Sequence, residues 1–179
     1  MIKNIIFDFD GVLVDSEMLI AKAFSKYLYS LGFTFDEKDF AKFAGKKTTE
    51  VIDILSQKFL IKDNKIFFDD VMNIASNIYK KELTTVKGAY DFVSKSKLKL
   101  FIGSNSIKER IIDGLKRVEL DKYFSDGKIY SFDLVKNPKP HPDVYLKVVS
   151  DNNLNKNETI IIEDSAVGVI AGVAAEVKV

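Results

Sequence analysis

Residues 7–17 read Phe-Asp-Phe-Asp-Gly-Val-Leu-Val-Asp-Ser-Glu, and they directly follow the apolar pair Ile5-Ile6. Such a start predicts a buried strand that ends in two aspartates. Because alternate side chains of a strand point to the same side, Asp8 and Asp10 can aim both carboxylates at one point beyond the strand. Open α/β sheets bind their ligands at that edge. Taken alone, the stretch is equally compatible with an acidic turn.

The rest of the chain divides into an alternating part and an all-helical part. Apolar runs predict strands at 3–7, 98–102, 128–131 and 159–162, and helical periodicity separates the last three of them. This alternation favours an α/β core with a Rossmann-like, doubly wound parallel sheet. Residues 16–86 show only helical patterns, at 16–31, 36–44, 48–59 and 63–83. We therefore predict an inserted helical cap at 16–86, with residues 1–15 and 87–179 as the core.

Composition narrows the classes of function. The 179 residues carry a net charge of +1 and no cysteine, which excludes disulfides, thiolate metal sites and thiol nucleophiles. No basic run interleaves with aromatic residues and no apolar run is long enough to cross a bilayer, so neither a nucleic acid nor a membrane is an expected partner. A cytoplasmic monomer is the simplest expectation. The only arginines are Arg110 and Arg117, so a guanidinium clamp on a phosphate is not expected.

Two further segments carry groups that suit an anion. Gly103-Ser104-Asn105-Ser106 follows the second strand and precedes a helix, where a hydroxyl, an amide and helix-start N–H groups converge. The same residues would also serve as an ordinary helix N-cap. Residues 137–143 hold all three prolines of the chain around Lys139. A stiff loop predicts an ammonium group that is aimed at a ligand, although a surface lysine in a turn gives the same pattern.

The fourth segment, residues 160–165, reads Ile-Ile-Ile-Glu-Asp-Ser. It predicts a strand that ends in Glu163 and Asp164. If this strand end lies near Asp8 and Asp10, the carboxylates form a concentration of negative charge that a divalent cation would neutralise. The candidate ligands are all oxygen atoms, without cysteine or clustered histidine, and this favours Mg²⁺ over zinc.

The four segments together resemble the four motifs of the haloacid dehalogenase-like hydrolases, in the same order and across nearly the whole chain. The helical insert resembles the small cap of the subgroup that contains phosphoglycolate phosphatases, β-phosphoglucomutase and sugar-phosphate phosphatases. The resemblance implies a Mg²⁺-dependent phosphatase whose partner is a small phosphorylated metabolite, a sugar phosphate or a phosphogluconate-like compound. It implies that Asp8 is the nucleophile, which forms an aspartyl-phosphate, and that Asp10 is the general acid and base.

The resemblance also implies which residues bind each ligand. Magnesium is expected at Asp8, at Asp10 through its backbone carbonyl, and at Asp164. Glu163 is expected to support the site indirectly, through another ligand or through a water molecule. The phosphate is expected to contact Gly11, Ser104, Asn105 and Lys139. The cap residues expected to choose the substrate are Glu17, Gly45, Lys46, Lys47 and Thr48.

Three departures from the family pattern bear on the alternatives. Mutases of this subgroup carry a histidine where this chain has Ile20, so a phosphomutase is the weaker alternative. Dehalogenases have a single aspartate where this chain has a pair, so Asp10 argues against dehalogenation. Relatives continue through a glycine turn into a further strand and helix, whereas here Glu176 stands at the turn and Val179 is the last residue. We therefore expect the core to lack its C-terminal strand and helix, which keeps a non-catalytic phosphate-ligand or protein-binding module as a second alternative.

Overall fold

Within residues 1–43 and 48–179, the part of the chain that this computed structural model describes, four parallel strands form one sheet. They are β1 (Asn4–Phe7), β2 (Lys99–Ser104), β3 (Ile129–Ser131) and β4 (Thr159–Ile162). Their order across the sheet is β3-β2-β1-β4, so the first strand lies between β2 and β4. The predicted α/β fold with a Rossmann-like parallel sheet is confirmed.

The first strand is buried along its whole length, as expected for a parallel strand covered on both faces. Ile6 is in register with Phe101 of β2 and with Ile161 of β4. The ladder extends one residue past the strand, because the N–H of Asp8 donates to the carbonyl of Ile162 at 2.9 Å. The residues that follow β1, β2 and β4 therefore emerge at the same edge of the sheet.

The chain divides into two compact units, a core unit of Met1–Asp15 with Thr84–Val179 and a cap unit of Ser16–Leu83. The second junction lies three residues earlier than the sequence predicts. Thr84 belongs to the core unit because its carbonyl accepts a hydrogen bond from Asp15 N at 2.9 Å, and Val86 N donates to the carbonyl of Leu13 at 3.1 Å. A short antiparallel pairing thus joins the segment after the cap unit to the segment before it. The helical pattern of the sequence does not predict this pairing.

The cap unit is built around aromatic packing. Its helices are α1 (Glu17–Ser30), α2 (Thr48–Phe59) and α3 (Asn64–Glu82). The ring of Tyr27 stacks on Phe67 with centroids 4.8 Å apart, and Phe24 meets Phe67 at 5.8 Å in an edge-on arrangement. Asp63 caps α3 by accepting hydrogen bonds from two backbone N–H groups of the first turn. The helix predicted at 36–44 is a 3-10 helix, Glu37–Phe43.

The core unit has one α-helix before β2, α4 (Ala89–Lys95), and one α-helix after each of β2, β3 and β4, namely α5 (Lys108–Arg117), α6 (Asp143–Asp151) and α7 (Ala166–Ala174). Val148 and Tyr145 of α6 are fully buried in one hydrophobic cluster with Ile6, Phe101 and Ile161 of the sheet. The strand predicted at 98–102 runs on to Ser104, and α5 begins four residues later. Short strand-to-helix connections of this kind keep polar side chains close to the sheet edge.

The last residues of the chain lie beside β4. Glu176 adopts a φ of 57°, in the left-handed region. Lys178 then forms a parallel bridge to Ile160, and its carbonyl accepts a hydrogen bond from Ile161 N at 2.7 Å. This pairing is an isolated bridge and not a further strand. Across the described residues, no helix combines the length and the apolar character that a membrane span requires.

Candidate active site

Three strand ends of the core unit surround one polar cavity of about 230 Å³. Asp8 and Asp10 follow β1, Ser104 ends β2, and Ser165 follows β4. Side chains from these strand ends and from the loop before α6 line it, namely Asp8, Asp10, Ser104, Asn105, Ser106, Lys139, Ser165 and Val167. The four sequence motifs therefore meet in one place.

Lys139 is the buried cation of this site. Its side chain is only 3% exposed, and its ammonium donates to Asp8 Oδ1 at 2.8 Å and to Glu163 Oε1 at 2.5 Å. The same ammonium lies over the ring of Tyr145, 4.7 Å from the centroid, a favourable cation–π position. Asn105 fixes the backbone of this residue, since its Oδ1 accepts from Lys139 N at 2.9 Å and its Nδ2 donates to Lys139 O at 3.2 Å. The amide of Asn105 thus adds to the proline-rich loop in restraining the backbone of Lys139, and the aiming of its ammonium at a ligand stays a prediction.

The two carboxylates that share this ammonium respond to it differently. Burial raises the pKa of Asp8 to about 6, and this effect, together with the nearby negative charge of Glu163, outweighs the attraction of Lys139. Burial also acts to raise the pKa of Glu163, but the charge of Lys139 and hydrogen bonds from Lys139, Tyr145 and Ser165 overcome it and hold that pKa below its usual value. The attraction of one ammonium therefore offsets the effect of burial on the pKa of Glu163 but not on the pKa of Asp8.

Glu163 has its acceptor positions occupied by protein donors. Besides Lys139, the hydroxyl of Tyr145 donates to Oε1 at 2.6 Å, and the hydroxyl of Ser165 donates to Oε2 at 3.0 Å. Its side chain has no solvent exposure. A carboxylate held in this way can orient the groups that donate to it.

A cluster of three carboxylates suits a hard cation. Oxygen atoms of Asp8, Glu163 and Asp164 lie within 4.8 Å of one another, and oxygen-only donors are the ligands that Mg²⁺ prefers. Gly11 makes room for this arrangement: it has a φ of +76°, and a Cβ there would lie 1.9 Å from Asp164 Oδ2. The donor chemistry of the described residues thus fits a divalent metal ion.

Two residues predicted to bind phosphate, Gly11 and Ser104, already form hydrogen bonds within the protein. The N–H of Gly11, predicted to bind phosphate, donates to the carbonyl of Val14 at 2.8 Å, so the observed role of this glycine is to let Asp164 approach. Ser104 is buried, and its Oγ accepts from Ser106 N at 3.1 Å. Its hydroxyl hydrogen remains a possible donor to an anion, as does the second amide hydrogen of Asn105.

The partners of Asp10 were not predicted. Arg110 Nη2 donates to Asp10 Oδ1 at 2.7 Å, and Ser106 Oγ donates to Asp10 Oδ2 at 2.5 Å. The expectation that no guanidinium clamps a phosphate is not tested by this contact, because the anion that Arg110 binds is a carboxylate of the protein itself. The sequence signal for these partners was weak: Ser106 lies in the strand-to-helix connection before α5, and Arg110 lies in the first turn of that helix.

The predicted cap residues are only partly described. Glu17 is the first residue of α1 and Thr48 the first residue of α2. Gly45, Lys46 and Lys47 lie outside the described residues. A role of these five positions in substrate choice stays a prediction.

Comparisons with known proteins agree with the motif geometry. A family model described as haloacid dehalogenase-like hydrolase matches residues 5–179. A phosphorylated carbohydrates phosphatase of Thermotoga maritima is 31% identical over 98% of this chain and 82% of its own. A 6-phosphogluconate phosphatase of Escherichia coli is 28% identical over 99% of this chain and 81% of its own. A crystal structure of a family hydrolase from Deinococcus radiodurans, with bound phosphate and sodium, has a TM-score of 0.84 at 28% identity, over 98% of this chain and 78% of that one.

The packing of Glu163 predicts that Gly168→Ala is strongly destabilising. A Cβ at position 168 would lie 1.8 Å from the Glu163 carboxyl carbon, so this buried carboxylate would have to leave its three donors. We expect a loss of about 1–3 kcal/mol in the free energy of unfolding, despite the gain of about 1 kcal/mol that alanine normally brings to a helix. Urea denaturation measures the change.

Gly127→Ala is the matched control for this experiment, because a Cβ added at position 127 would meet no heavy atom within 4 Å. It should leave the urea midpoint nearly unchanged. Equal stabilities of the two variants would show that Glu163 is not held in the arrangement described.

Proposed function

The chain belongs to the haloacid dehalogenase-like hydrolases and is a phosphatase of that family, and from this premise we propose that it hydrolyses a small phosphorylated carbohydrate with the help of Mg²⁺. The observation that supports the proposal best is the contact between Asp8 and Lys139. A carboxylate at a strand end, 2.8 Å from a buried ammonium and beside two further acids, combines a nucleophile with groups that stabilise the charge of a transferring phosphoryl group.

In the proposed reaction, a carboxylate oxygen of Asp8 attacks phosphorus in line with the departing alkoxide. The new O–P bond forms an aspartyl-phosphate as the bond from phosphorus to the leaving oxygen breaks. This route divides one difficult displacement into two easier ones. Water then attacks the aspartyl-phosphate, which releases inorganic phosphate and restores the Asp8 carboxylate.

Asp10 supplies and recovers the proton. In the first step it protonates the leaving oxygen, and in the second it accepts a proton from the attacking water. Its place in the same cavity as Asp8, two residues further along the chain, supports this assignment. The non-bridging phosphate oxygens would be bound by Lys139, the hydroxyl of Ser104 and the free amide hydrogen of Asn105.

The proposed Mg²⁺ ligands are the carboxylates of Asp8 and Asp164 and the backbone carbonyl of Asp10. A bound Mg²⁺ would neutralise part of the phosphate charge and favour the ionised form of Asp8. Glu163 would support the site indirectly, because its oxygens accept hydrogen bonds from Lys139, Tyr145 and Ser165.

The nucleophile assignment predicts that Asp8→Asn abolishes turnover. An amide lacks the anionic oxygen that attacks phosphorus, so phosphate release from 4-nitrophenyl phosphate should fall by roughly 10³-fold or more, with the fold retained. Asp133→Asn, which removes an exposed carboxylate of the same unit, is the matched control and should keep full activity. Undiminished activity of Asp8→Asn would refute the assignment.

The metal assignment predicts a thermal shift that depends on Asp164. At a Mg²⁺ concentration ten times the dissociation constant, binding should stabilise the wild type by about 1.4 kcal/mol, which differential scanning fluorimetry detects as a higher Tm. Asp164→Asn should lose most of this shift, whereas Asp133→Asn should retain it. A full Mg²⁺ shift in Asp164→Asn would rule out the proposed ligand set.

The substrate class predicts an order of reactivity in a panel. We expect 6-phosphogluconate and hexose phosphates to give higher kcat/KM values than pyrophosphate, because the Thermotoga maritima and Escherichia coli relatives are named for phosphorylated carbohydrates and 6-phosphogluconate. Released phosphate and isomeric sugar phosphates are measured in the same reactions, with Asp8→Asn as the blank. Isomer formation without phosphate release would favour the phosphomutase alternative instead.

A further inference from the structure

Both carboxylate oxygens of Asp10 are held by side chains from the start of α5. The Ser106 hydroxyl lies 2.5 Å from Oδ2, and the Arg110 guanidinium donates to Oδ1 at 2.7 Å. Arg110 lies in the first turn of α5, and Ser106 lies two residues before that helix begins. Two donors, one from the connection before α5 and one from its first turn, thus contact both oxygens of this carboxyl group.

We propose that Arg110 is a positioning residue for Asp10, one that holds its carboxyl group in the orientation required for proton transfer to the leaving oxygen. The inference rests on the proposed phosphatase function. Arg110 is not among the described residues that line the cavity, whereas Asp10 is. Arg110 therefore acts on the reaction through Asp10 and not by contact with the substrate.

Orientation matters here because Asp10 is less buried than Asp8. Its side chain is 29% exposed, against 12% for Asp8, so its hydrogen bonds contribute to its orientation in addition to packing. Proton transfer requires a heavy-atom separation of about 2.6–3.2 Å, and small displacements of a reacting group cost much of the rate.

The charges during proton transfer also suit this pair. When Asp10 donates, its O–H bond breaks, an O–H bond forms on the leaving oxygen, and Asp10 becomes a carboxylate. Arg110 keeps all its protons throughout and donates a charge-assisted hydrogen bond to that carboxylate. The Ser106 hydroxyl can donate a hydrogen bond to the ionised carboxylate of Asp10 or accept one from its protonated form. It can therefore stay hydrogen-bonded to Asp10 in both steps of the reaction.

The second arginine of the chain, Arg117, forms an ordinary surface ion pair on the same helix. Arg117 contacts Asp113 at 2.7 Å, one helical turn away on α5, an arrangement that contributes little energy. Arg110 instead reaches a residue 100 positions away in the sequence, on the loop after β1. The two arginines therefore provide a matched comparison within one helix.

The test compares two leaving groups in Arg110→Met. 4-Nitrophenolate departs readily without a proton, whereas the alkoxide of a sugar or glycerol needs general acid catalysis, which contributes roughly 10²–10⁴-fold. We expect kcat/KM to fall about 10²-fold for the alkyl phosphate but less than about threefold for 4-nitrophenyl phosphate. Arg110→Lys should recover part of the alkyl activity, and Arg117→Met should keep both activities within about twofold.

A double-variant cycle tests whether Arg110 acts through Asp10. In an Asp10→Asn background, adding Arg110→Met should change the alkyl phosphatase rate by less than about twofold, because the group that Arg110 orients is already inactive. A further tenfold loss in that background would overturn the proposal, as would equal losses for the two leaving groups or no loss for either.

The outcome also separates this inference from the proposed function. If the wild type releases phosphate from both substrates and Asp8→Asn does not, the phosphatase function stands, and a uniform effect of Arg110→Met overturns only the role of Arg110. If the wild type releases phosphate from neither substrate, both are overturned. Melting temperatures of all variants establish that the compared proteins are folded.

Discussion

The site depends on one buried ammonium group, that of Lys139. A lysine side chain with 3% exposure would cost several kcal/mol if it were unpaired, so its burial requires nearby negative groups in good geometry. Asp8 supplies one from the end of β1, and Glu163 supplies the other from the end of β4. Asn105, just after β2, holds the lysine backbone. One cation thus links three strand ends, and the register of the sheet determines the distances at the site.

The same pairing leaves the site short of positive charge. Lys139 faces two carboxylates, and Asp164 brings a third within 4.8 Å. Burial raises the pKa of Asp8 to about 6 despite the attraction of Lys139. In the proposed reaction Asp8 must be ionised, so a bound divalent cation would favour its reactive form. The carboxylate cluster of the core unit therefore supports the proposal of a divalent ion.

Local sequence patterns predicted the parts of this arrangement that are themselves local. Apolar runs indicated the four strands, and acids directly after a strand indicated the reacting edge. Contacts between segments that are distant in the sequence produce no local pattern, so they were not predicted. The pairing of Arg110 with Asp10 and the fit of Gly168 against Glu163 depend on which strands are neighbours and on how the following helices pack. The place of Thr84 in the core unit was likewise not predictable from local patterns, because its hydrogen-bond partner Asp15 lies at the other junction of the insert.

Asp8 and Asp10 are chemically identical and only two residues apart, yet the fold gives each its own cation. Lys139 lies against Asp8 in a buried setting, where a compact ammonium can also meet Glu163 and the ring of Tyr145. Arg110 lies against Asp10 where both side chains remain partly exposed. In the proposed reaction, the nucleophile Asp8 and the proton donor Asp10 need different surroundings at the same pH. Separate cations from separate segments would supply those surroundings.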